Sequence, residues 1–314
     1  MSDNIKEFSV AYHPINKSNV FIRGDLLTGQ VILELEKQCR IDSLCVTFKG
    51  KAEVLWYENN NLVLSYHNKE KFFSIKQFPI EDGKGNNVVE PGRHVYPFTF
   101  QVPAQHLPSS YCSSKGKIVY RLEAILSRSM RLDCKAKLPI TFIHVCCLSA
   151  SDTISNLSLS CQTPQHSVTD KKMKLFTSGT VTMDVNIPRS GFYQGEGIKV
   201  VAVIQNKSSR VIKPKYCLYG RYGFYAEGKT KIKTEDILKE VGEDIPPSAS
   251  RTVTRIITIP PTGWISILNC NIIRTEYSLR VYLDVKFASD PKVEFPLLIL
   301  PALQEPDGEH LPAT

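Results

Sequence analysis

The chain has 314 residues, of which 42% are hydrophobic and 22% charged, and its formal net charge is +8. This length suits two domains of ordinary size, and the composition is that of a folded globular protein, which excludes a disordered chain. No apolar run approaches the roughly 20 residues of a membrane helix, and no basic tail or helix stripe marks a nucleic-acid-binding protein.

Short alternations of apolar and polar residues run through the first half of the chain. The clearest stretch is Pro91 to Leu126, where Phe98, Phe100 and Val102 form one run and residues 118–126 form a second. A period of two is typical of a strand with one buried face. Repeated short strands separated by turns favour a β-sandwich.

The middle of the chain has a different character. Residues 146–174 are rich in polar side chains and contain few periodic apolar ones, so this segment is interpreted as a linker and the approach to a second domain. Alternation resumes after Gly179 and is strong from Leu279 to Phe287. Thr234 to Val241 has a helix-like spacing, but among so many strands a strand is predicted there.

The two halves repeat each other. Residues 21–25, Phe-Ile-Arg-Gly-Asp, match residues 192–196, Phe-Tyr-Gln-Gly-Glu, at an offset of 171. Further along, residues 100–103 match 257–260, and the alternating positions of 120–126 match those of 277–283, both at an offset of 157. Two related sandwiches in tandem are therefore predicted, the second with a shorter middle.

Several motifs of this repeat resemble the arrestin fold, and specifically the arrestin domain-containing proteins, or α-arrestins. The motifs are residues 92–100, Gly-Arg-His-Val-Tyr-Pro-Phe-Thr-Phe, residues 107–111, Leu-Pro-Ser-Ser-Tyr, residues 191–196, and residues 266–279, which begin Ser-Ile-Leu-Asn-Cys. The resemblance covers about residues 5 to 301. It places an arrestin N-like domain at 1–148, a linker at 149–174, an arrestin C-like domain at 175–303 and a short tail at 304–314.

The resemblance implies a non-catalytic cytosolic adaptor in membrane-protein trafficking. Members of this family engage receptors and transporters as cargo in endocytosis and endosomal sorting, and aid their ubiquitination. The expected location is the cytoplasm, with recruitment to the plasma membrane or endosomes and peripheral membrane association. The alternative is a structural or regulatory subunit of a sorting coat, similar to the retromer subunit that shares the fold, without ligase recruitment.

Ubiquitin ligases of the HECT class bind many family members through Pro-Pro-x-Tyr motifs. The Pro-Pro pairs of this chain, at 246–247 and 260–261, are not followed by the tyrosine that a WW domain reads. Ligase recruitment is therefore expected to be only indirect.

Basic residues of the first domain are the candidate binding site. Arg23, Lys115 and Lys117 fall at predicted strand ends and turns, where they form either an ordinary solvated surface or a contact for acidic or phosphorylated cargo segments. The resemblance favours the second interpretation, because arrestin-like N-domains use basic patches in this way.

Catalytic and metal-binding patterns are absent from the sequence. No nucleophile elbow, zinc-protease helix, phosphate loop or dinucleotide fingerprint occurs, so no catalytic residue, metal site or cofactor is predicted. The nine cysteines lack the paired spacing of zinc ligands. Because the N-terminus does not have the pattern of a secretory signal, they are expected to be free thiols in a reducing compartment.

Overall fold

The computed structural model describes residues 4–60, 62–81, 87–145, 162–172, 179–285 and 290–302. It confirms the predicted all-β class and the two sandwiches. The chain separates into two compact units. The first contains Met1–His144, with Phe224–Thr230 and Asn269–Ile273, and the second contains Val145–Gly223, Lys231–Leu268 and Arg274–Thr314.

The first unit is built from eleven strands among its described residues. They are β1 (Ile5–Tyr12), β2 (Val20–Phe21), β3 (Leu26–Leu35), β4 (Cys39–Ile41), β5 (Ser43–Asn60), β6 (Leu62–Ile80), β7 (Asn87–Val89), β8 (Gly92–Gln101), β9 (Tyr111–Cys112), β10 (Gly116–Ser127) and β11 (Cys134–Phe142). One sheet has the order β1-β3-β8, and the other has the order β2-β11-β10-β5-β6 with β9 paired to β10. Strands β4 and β7 form a separate pair.

The second unit repeats this plan. Its described strands are β12 (Gln165–Lys172), β13 (Thr180–Ile187), β14 (Gly191–Tyr193), β15 (Gly197–Asn206), β16 (Lys213–Ala226), β17 (Lys229–Val241), β18 (Ala249–Thr258), β19 (Ile273–Asp284) and β20 (Lys292–Leu300). The sheets have the orders β12-β13-β15-β18 and β14-β20-β19-β16-β17. The strand predicted over Thr234–Val241 is confirmed as part of β17.

Strand β12 falls inside the segment predicted to be a linker. Its residues pair in register with β13 along their whole length, from Gln165 opposite Ile187 to Lys172 opposite Thr180. Val168 is the only apolar residue of β12, and it is 55% exposed. The strand therefore forms by backbone pairing to the edge of an existing sheet. Because no apolar face of it is buried, its sequence has no apolar alternation that would indicate a strand.

Alternating side chains fill the interior of each sandwich. In the first unit Val46, Phe48 and Leu122 are fully buried, and in the second Val200, Leu279 and Val281 are. Each of these residues lies on a strand whose neighbouring positions face outward, as the period-two pattern predicts.

The predicted repeat is visible in the hydrogen bonds. Gly24 and Gly195 both have φ of +82°, a left-handed conformation that favours glycine. The Gly24 N–H donates to the carbonyl of Val102 at 3.1 Å, and the Gly195 N–H donates to that of Ile259 at 3.1 Å. These pairs reproduce both offsets, 171 and 157, so the internal repeat is confirmed.

Candidate functional site

A groove of about 650 Å³ opens on the first unit. Its walls are the hairpin formed by β5 and β6 and the turn that joins β9 to β10. Its charged lining residues are Glu53, Lys69, Lys115 and Lys117. Three cations against one carboxylate make the groove suited to an anionic ligand.

The turn that carries Lys115 is held by several hydrogen bonds. The Ser113 hydroxyl donates to the carbonyl of Gly116 at 3.0 Å, and the Gly116 N–H donates back to that hydroxyl at 3.2 Å. The Leu55 N–H donates to the carbonyl of Lys115 at 2.9 Å and ties the turn to β5. The backbone at Lys115 is thereby fixed beside the hairpin.

The register of the strands places charged residues next to each other on the outer face of the larger sheet, which contains β5, β6, β10 and β11. Glu53 on β5 lies opposite Lys69 on β6 and Lys117 on β10. Glu123 on β10 lies opposite Lys137 on β11. Directly opposed residues point to the same face of a sheet, so both carboxylates and their opposed lysines share the outer face.

Three cations surround Glu53. The Nζ atom of Lys51 is 2.5 Å from the Glu53 carboxylate, that of Lys117 is 3.3 Å away and that of Lys69 is 3.8 Å away. The Glu53 side chain is 17% exposed, whereas Lys69 and Lys117 are at least half exposed. One partly buried carboxylate thus orients three ammonium groups and neutralises only one of their charges.

Three more cations surround Glu123. Lys49 donates a hydrogen bond to its carboxylate, the Nζ atom of Lys137 is 3.6 Å from it, and the Nη2 atom of Arg121 is 3.9 Å from it. The Glu123 side chain is 10% exposed and that of Lys137 is 53% exposed. This second cluster holds two lysines and one arginine instead of three lysines, and it has the same ratio of three cations to one carboxylate.

The carboxylates respond to these neighbours in the same way. Partial burial alone would raise the pKa of Glu53, but the hydrogen bond and charge of Lys51, followed by those of Lys117, bring it below its ordinary value. Burial would likewise raise the pKa of Glu123, and Lys49, Arg121 and Lys137 together lower it. Both groups are therefore ionised at neutral pH, and each cluster keeps a net positive charge.

Further lysines widen the basic face. Lys71 lies opposite Lys51, Lys76 lies opposite Thr47, and Lys135 lies opposite Ile125. None of the three has an ion-pair partner among the described residues. We call the outer face of β5, β6, β10 and β11 the basic face. Its charged residues are Lys49, Lys51, Lys69, Lys71, Lys76, Lys117, Arg121, Lys135 and Lys137, with Glu53 and Glu123.

Two of the three residues predicted from the sequence meet at this site. Lys115 and Lys117 both line the groove. Arg23 lies between β2 and β3 and is not among the residues that line it. Arg23 contributes instead to the environment of His144, where burial is the main cause, and His106 and Arg23 are further causes, of a lowered pKa.

The remaining cations of the basic face were missed at the level of sequence. The sequence does contain a signal for them, because lysines occur in pairs two residues apart, which is the spacing of one face of a strand. The pairs are Lys49 and Lys51, Lys69 and Lys71, and Lys135 and Lys137. Such a pair indicates that both side chains leave the same face of one strand. It does not show that the three strands belong to one sheet.

Neither a metal-binding cluster nor a membrane-spanning helix occurs among the described residues. The described part of the chain contains no group of three or more His, Cys, Asp or Glu side chains that could hold a metal ion. It also contains no helix long and apolar enough to cross a membrane.

Comparisons with known families match two successive parts of the chain. Residues 8–149 match the family described as Arrestin (or S-antigen), N-terminal domain. Residues 177–303 match Arrestin (or S-antigen), C-terminal domain. The basic face lies entirely within the first match.

Whole-chain relatives extend across both matches. Arrestin domain-containing protein 4 of Mus musculus is 27% identical over 307 residues, which cover 94% of this chain and 72% of that protein. Its Homo sapiens counterpart is 29% identical over 296 residues, covering 90% of this chain and 68% of that protein. The thioredoxin-interacting protein of Mus musculus is 26% identical over 309 residues, covering 95% and 74%.

Proposed function

Because this chain belongs to the arrestin domain-containing proteins, the α-arrestins, we propose that it is a non-catalytic adaptor for membrane-protein cargo. Membership of the family supports a trafficking role of the adaptor type. The finer proposal is that the first unit binds acidic or phosphorylated segments in the cytoplasmic tails of receptors or transporters, during their endocytosis or endosomal sorting.

The observation that supports this proposal is the pair of clusters on the basic face. Each carboxylate is shared by three cations, so each cluster holds ammonium or guanidinium groups in place while retaining positive charge. A carboxylate or phosphate of a ligand would complete the neutralisation, and charge-assisted hydrogen bonds to such groups are among the strongest polar contacts. Arginine clusters recognise acidic and phosphorylated motifs, and lysine binds phosphate as a point charge.

The spacing of the clusters points to an extended ligand. Lys117, in the first cluster, and Glu123, at the centre of the second, are six residues apart on β10. A strand rises about 3.3 Å per residue, so the two clusters are about 20 Å apart along the sheet. An extended peptide with two acidic positions about six residues apart would engage both clusters at once.

Several parts of the prediction from sequence stay predictions. These are the domain bounds at 1–148, 149–174, 175–303 and 304–314, the role of Arg23, and the indirect relation to HECT ubiquitin ligases. We also propose recruitment from the cytoplasm to the plasma membrane or endosomes, which follows if the cargo is a membrane protein.

The test is the binding of a fluorescent peptide that carries two phosphoserines six residues apart among glutamates. The variant combines Lys69→Gln, Lys117→Gln and Lys137→Gln, whose side chains are 50–59% exposed. At about 0.5 kcal/mol for each exposed charge, we expect an affinity loss of about tenfold by fluorescence anisotropy.

The matched control removes three equally exposed lysines from the second unit. It combines Lys233→Gln, Lys239→Gln and Lys292→Gln, whose side chains are 55–62% exposed. Both variants have the same net charge, so a purely nonspecific attraction would weaken equally in both. Equal losses, or no loss in the first variant, would contradict the proposed site.

A further inference from the structure

We propose that the hairpin of β5 and β6 binds the surface of an anionic lipid bilayer directly. In this arrangement Leu55, Tyr57 and Val63 insert among the lipid headgroups, and the lysines behind them lie at the level of the lipid phosphates. The inference does not depend on the cargo peptide, because it concerns a contact that the protein makes with lipid alone.

Exposed apolar side chains are concentrated on this hairpin. Val63 is 71% exposed, Tyr57 is 61% exposed and Leu55 is 42% exposed. The register pairs Asn59 with Val63, Tyr57 with Ser65 and Leu55 with His67, which places the three apolar side chains on one face. A cluster of large apolar side chains in water indicates an interaction surface rather than a folding requirement.

The hairpin that carries these side chains is braced from its other face. Trp56 is 3% exposed and stacks on Tyr66, with ring centroids 5.4 Å apart. The register places Trp56 directly opposite Tyr66. The apolar residues on the exposed face therefore project from a paired and packed ladder, so they can be inserted without refolding of the strands.

Cations follow the apolar residues on the same face. Counting away from Val63, the next charged pair is Glu53 with Lys69, and then Lys51 with Lys71. Lys115 and Lys117 line the groove beside them. Tyr57 and Glu53 are four residues apart, so the distance between them along the strand is about 13 Å. This distance is larger than the roughly 5–10 Å depth to which interfacial segments enter a bilayer. Inserted apolar side chains would therefore leave the lysines at the headgroups.

This order of residues fits a bilayer better than a protein partner. Tyrosine is enriched at membrane–water interfaces, where its ring is partly buried and its hydroxyl is solvated. Basic residues next to an inserted apolar segment are attracted to the negative potential of anionic lipid. The binding of an interfacial segment increases with its buried apolar area and with its attraction to anionic lipids, so the two contributions add. The hairpin presents both within one continuous face.

The test places a tryptophan reporter at the exposed apolar position. The Tyr57→Trp variant is mixed with vesicles whose acyl chains are brominated, made either of phosphatidylcholine alone or of phosphatidylcholine with phosphatidylserine. We expect a blue shift and quenching of its fluorescence with the anionic vesicles and little change with the neutral ones. Ile256→Trp is the control, because Ile256 is 63% exposed and lies on β18 of the second unit. The native Trp56 and Trp264 contribute to both variants alike.

A second pair of substitutions separates lipid binding from peptide binding. Tyr57→Ser combined with Val63→Ser removes two exposed apolar groups, so the fold should be retained. We expect co-sedimentation with anionic vesicles to weaken by at least about tenfold, from the apolar area no longer inserted. Binding of the phosphopeptide in solution should weaken much less, because every lysine of the basic face is retained.

Two results would overturn the inference. One is a Tyr57→Trp variant that is folded yet shows neither shift nor quenching with anionic vesicles, which is also the outcome if the hairpin serves a protein partner. The other is equal quenching of the two tryptophan variants. Failure of the cargo proposal gives a different result from failure of the lipid proposal. It appears as an unchanged peptide affinity in the variant that combines Lys69→Gln, Lys117→Gln and Lys137→Gln, whatever the result with vesicles.

Discussion

The larger sheets of the two units have the same strand order, but their outer faces pair their charges differently. On the second unit Lys215 bonds to Asp284 at 2.7 Å, and Glu294 forms ion pairs with two cations, Arg280 and Lys292, at 2.8 and 3.0 Å. On the first unit each carboxylate is shared by three cations. The duplicated scaffold is therefore preserved in both copies, whereas the larger excess of positive charge around each carboxylate distinguishes the first.

The interiors of the units show how closely the scaffold is preserved. Tyr120 and Tyr277 occupy equivalent buried positions, and each donates a hydrogen bond to a carbonyl twelve residues before it. Gly50 packs against the ring of Tyr120, and Gly220 packs near that of Tyr277. Because the contacts of the first pair are closer, we expect mutations there to lower the free energy of unfolding more than the equivalent mutations in the second unit.

The largest expected effect is that of Gly50→Ala. A Cβ atom at this position would lie 2.5 Å from Cε1 of Tyr120 and 2.8 Å from Cε1 of Phe73, so buried rings or the backbone must move. We expect a loss of about 2–3 kcal/mol in the free energy of unfolding. At Gly220 the nearest atoms are the hydroxyl oxygen and Cζ of Tyr222, at 2.7 and 2.9 Å, and Cε1 of Tyr277 at 3.1 Å, so each contact is longer than its counterpart at Gly50. Gly220→Ala should cost only about 1 kcal/mol.

Urea denaturation of both alanine variants checks that Gly50→Ala costs more stability than Gly220→Ala. The unfolding is monitored by tryptophan fluorescence, from Trp56 in the first unit and Trp264 in the second. The account is contradicted if Gly220→Ala is the more damaging substitution.

Removal of the tyrosine hydroxyls should have the next largest effect. The Tyr120 hydroxyl donates to the carbonyl of Pro108 at 2.6 Å, and that of Tyr277 donates to the carbonyl of Ile265 at 3.4 Å. Tyr120→Phe leaves a buried carbonyl without this donor and should cost about 1–2 kcal/mol, whereas Tyr277→Phe should cost about 0.5 kcal/mol. Thermal unfolding of the two variants measures the difference, and equal shifts would show that the two hydrogen bonds contribute equally.

Smaller effects are expected from Glu53→Gln, which should lower the stability of the fold at neutral pH but raise the affinity for the peptide. The lowered pKa of Glu53 means that its carboxylate stabilises the fold above its ordinary pKa of 4.5, and that this stability is lost as the pH falls through the lower folded value. The variant should therefore be less stable than the wild type at neutral pH by about 1 kcal/mol, and equal to it in acid. Urea unfolding over a pH series measures this convergence.

The same substitution should strengthen peptide binding. Without Glu53 the cluster gains one net positive charge, and we expect the affinity for the phosphopeptide to rise by about threefold, which is about 0.65 kcal/mol. Glu294→Gln is the control, because the pKa of Glu294 is also lowered, by Arg280 and Lys292 against the effect of burial. It should lose stability in the same pH range but leave peptide affinity unchanged.

Much of the fold could be predicted from the sequence because its determinants are local. The alternation in β8, β10 and β19 identifies strands, and the glycine turns at 24 and 195 mark the start of each repeat. Strand β12 could not be predicted in this way, since its only apolar residue is exposed and the strand depends on a neighbouring edge. That dependence is a property of the folded sheet.

The candidate site was only partly predictable, for a related reason. Lys115 and Lys117 are close together in the chain, so a basic turn could be recognised directly. The contacts of Lys49 and Lys137 with Glu123 join three strands, of which β5 and β10 are neighbours in the sheet although four other strands lie between them in the chain. Alternating lysines indicate a charged strand face, but only the register brings those faces together and shows that two carboxylates serve six cations.

The central claim, that the first unit carries the acidic-ligand site, is tested most directly by photo-crosslinking. The phosphoserine peptide carries a photoreactive group between its two phosphates, and the adducts on the wild-type protein are mapped by mass spectrometry. We predict adducts within residues 47–76 and 117–137, which span the basic face. Adducts confined to β16, β19 and β20 of the second unit would contradict the account.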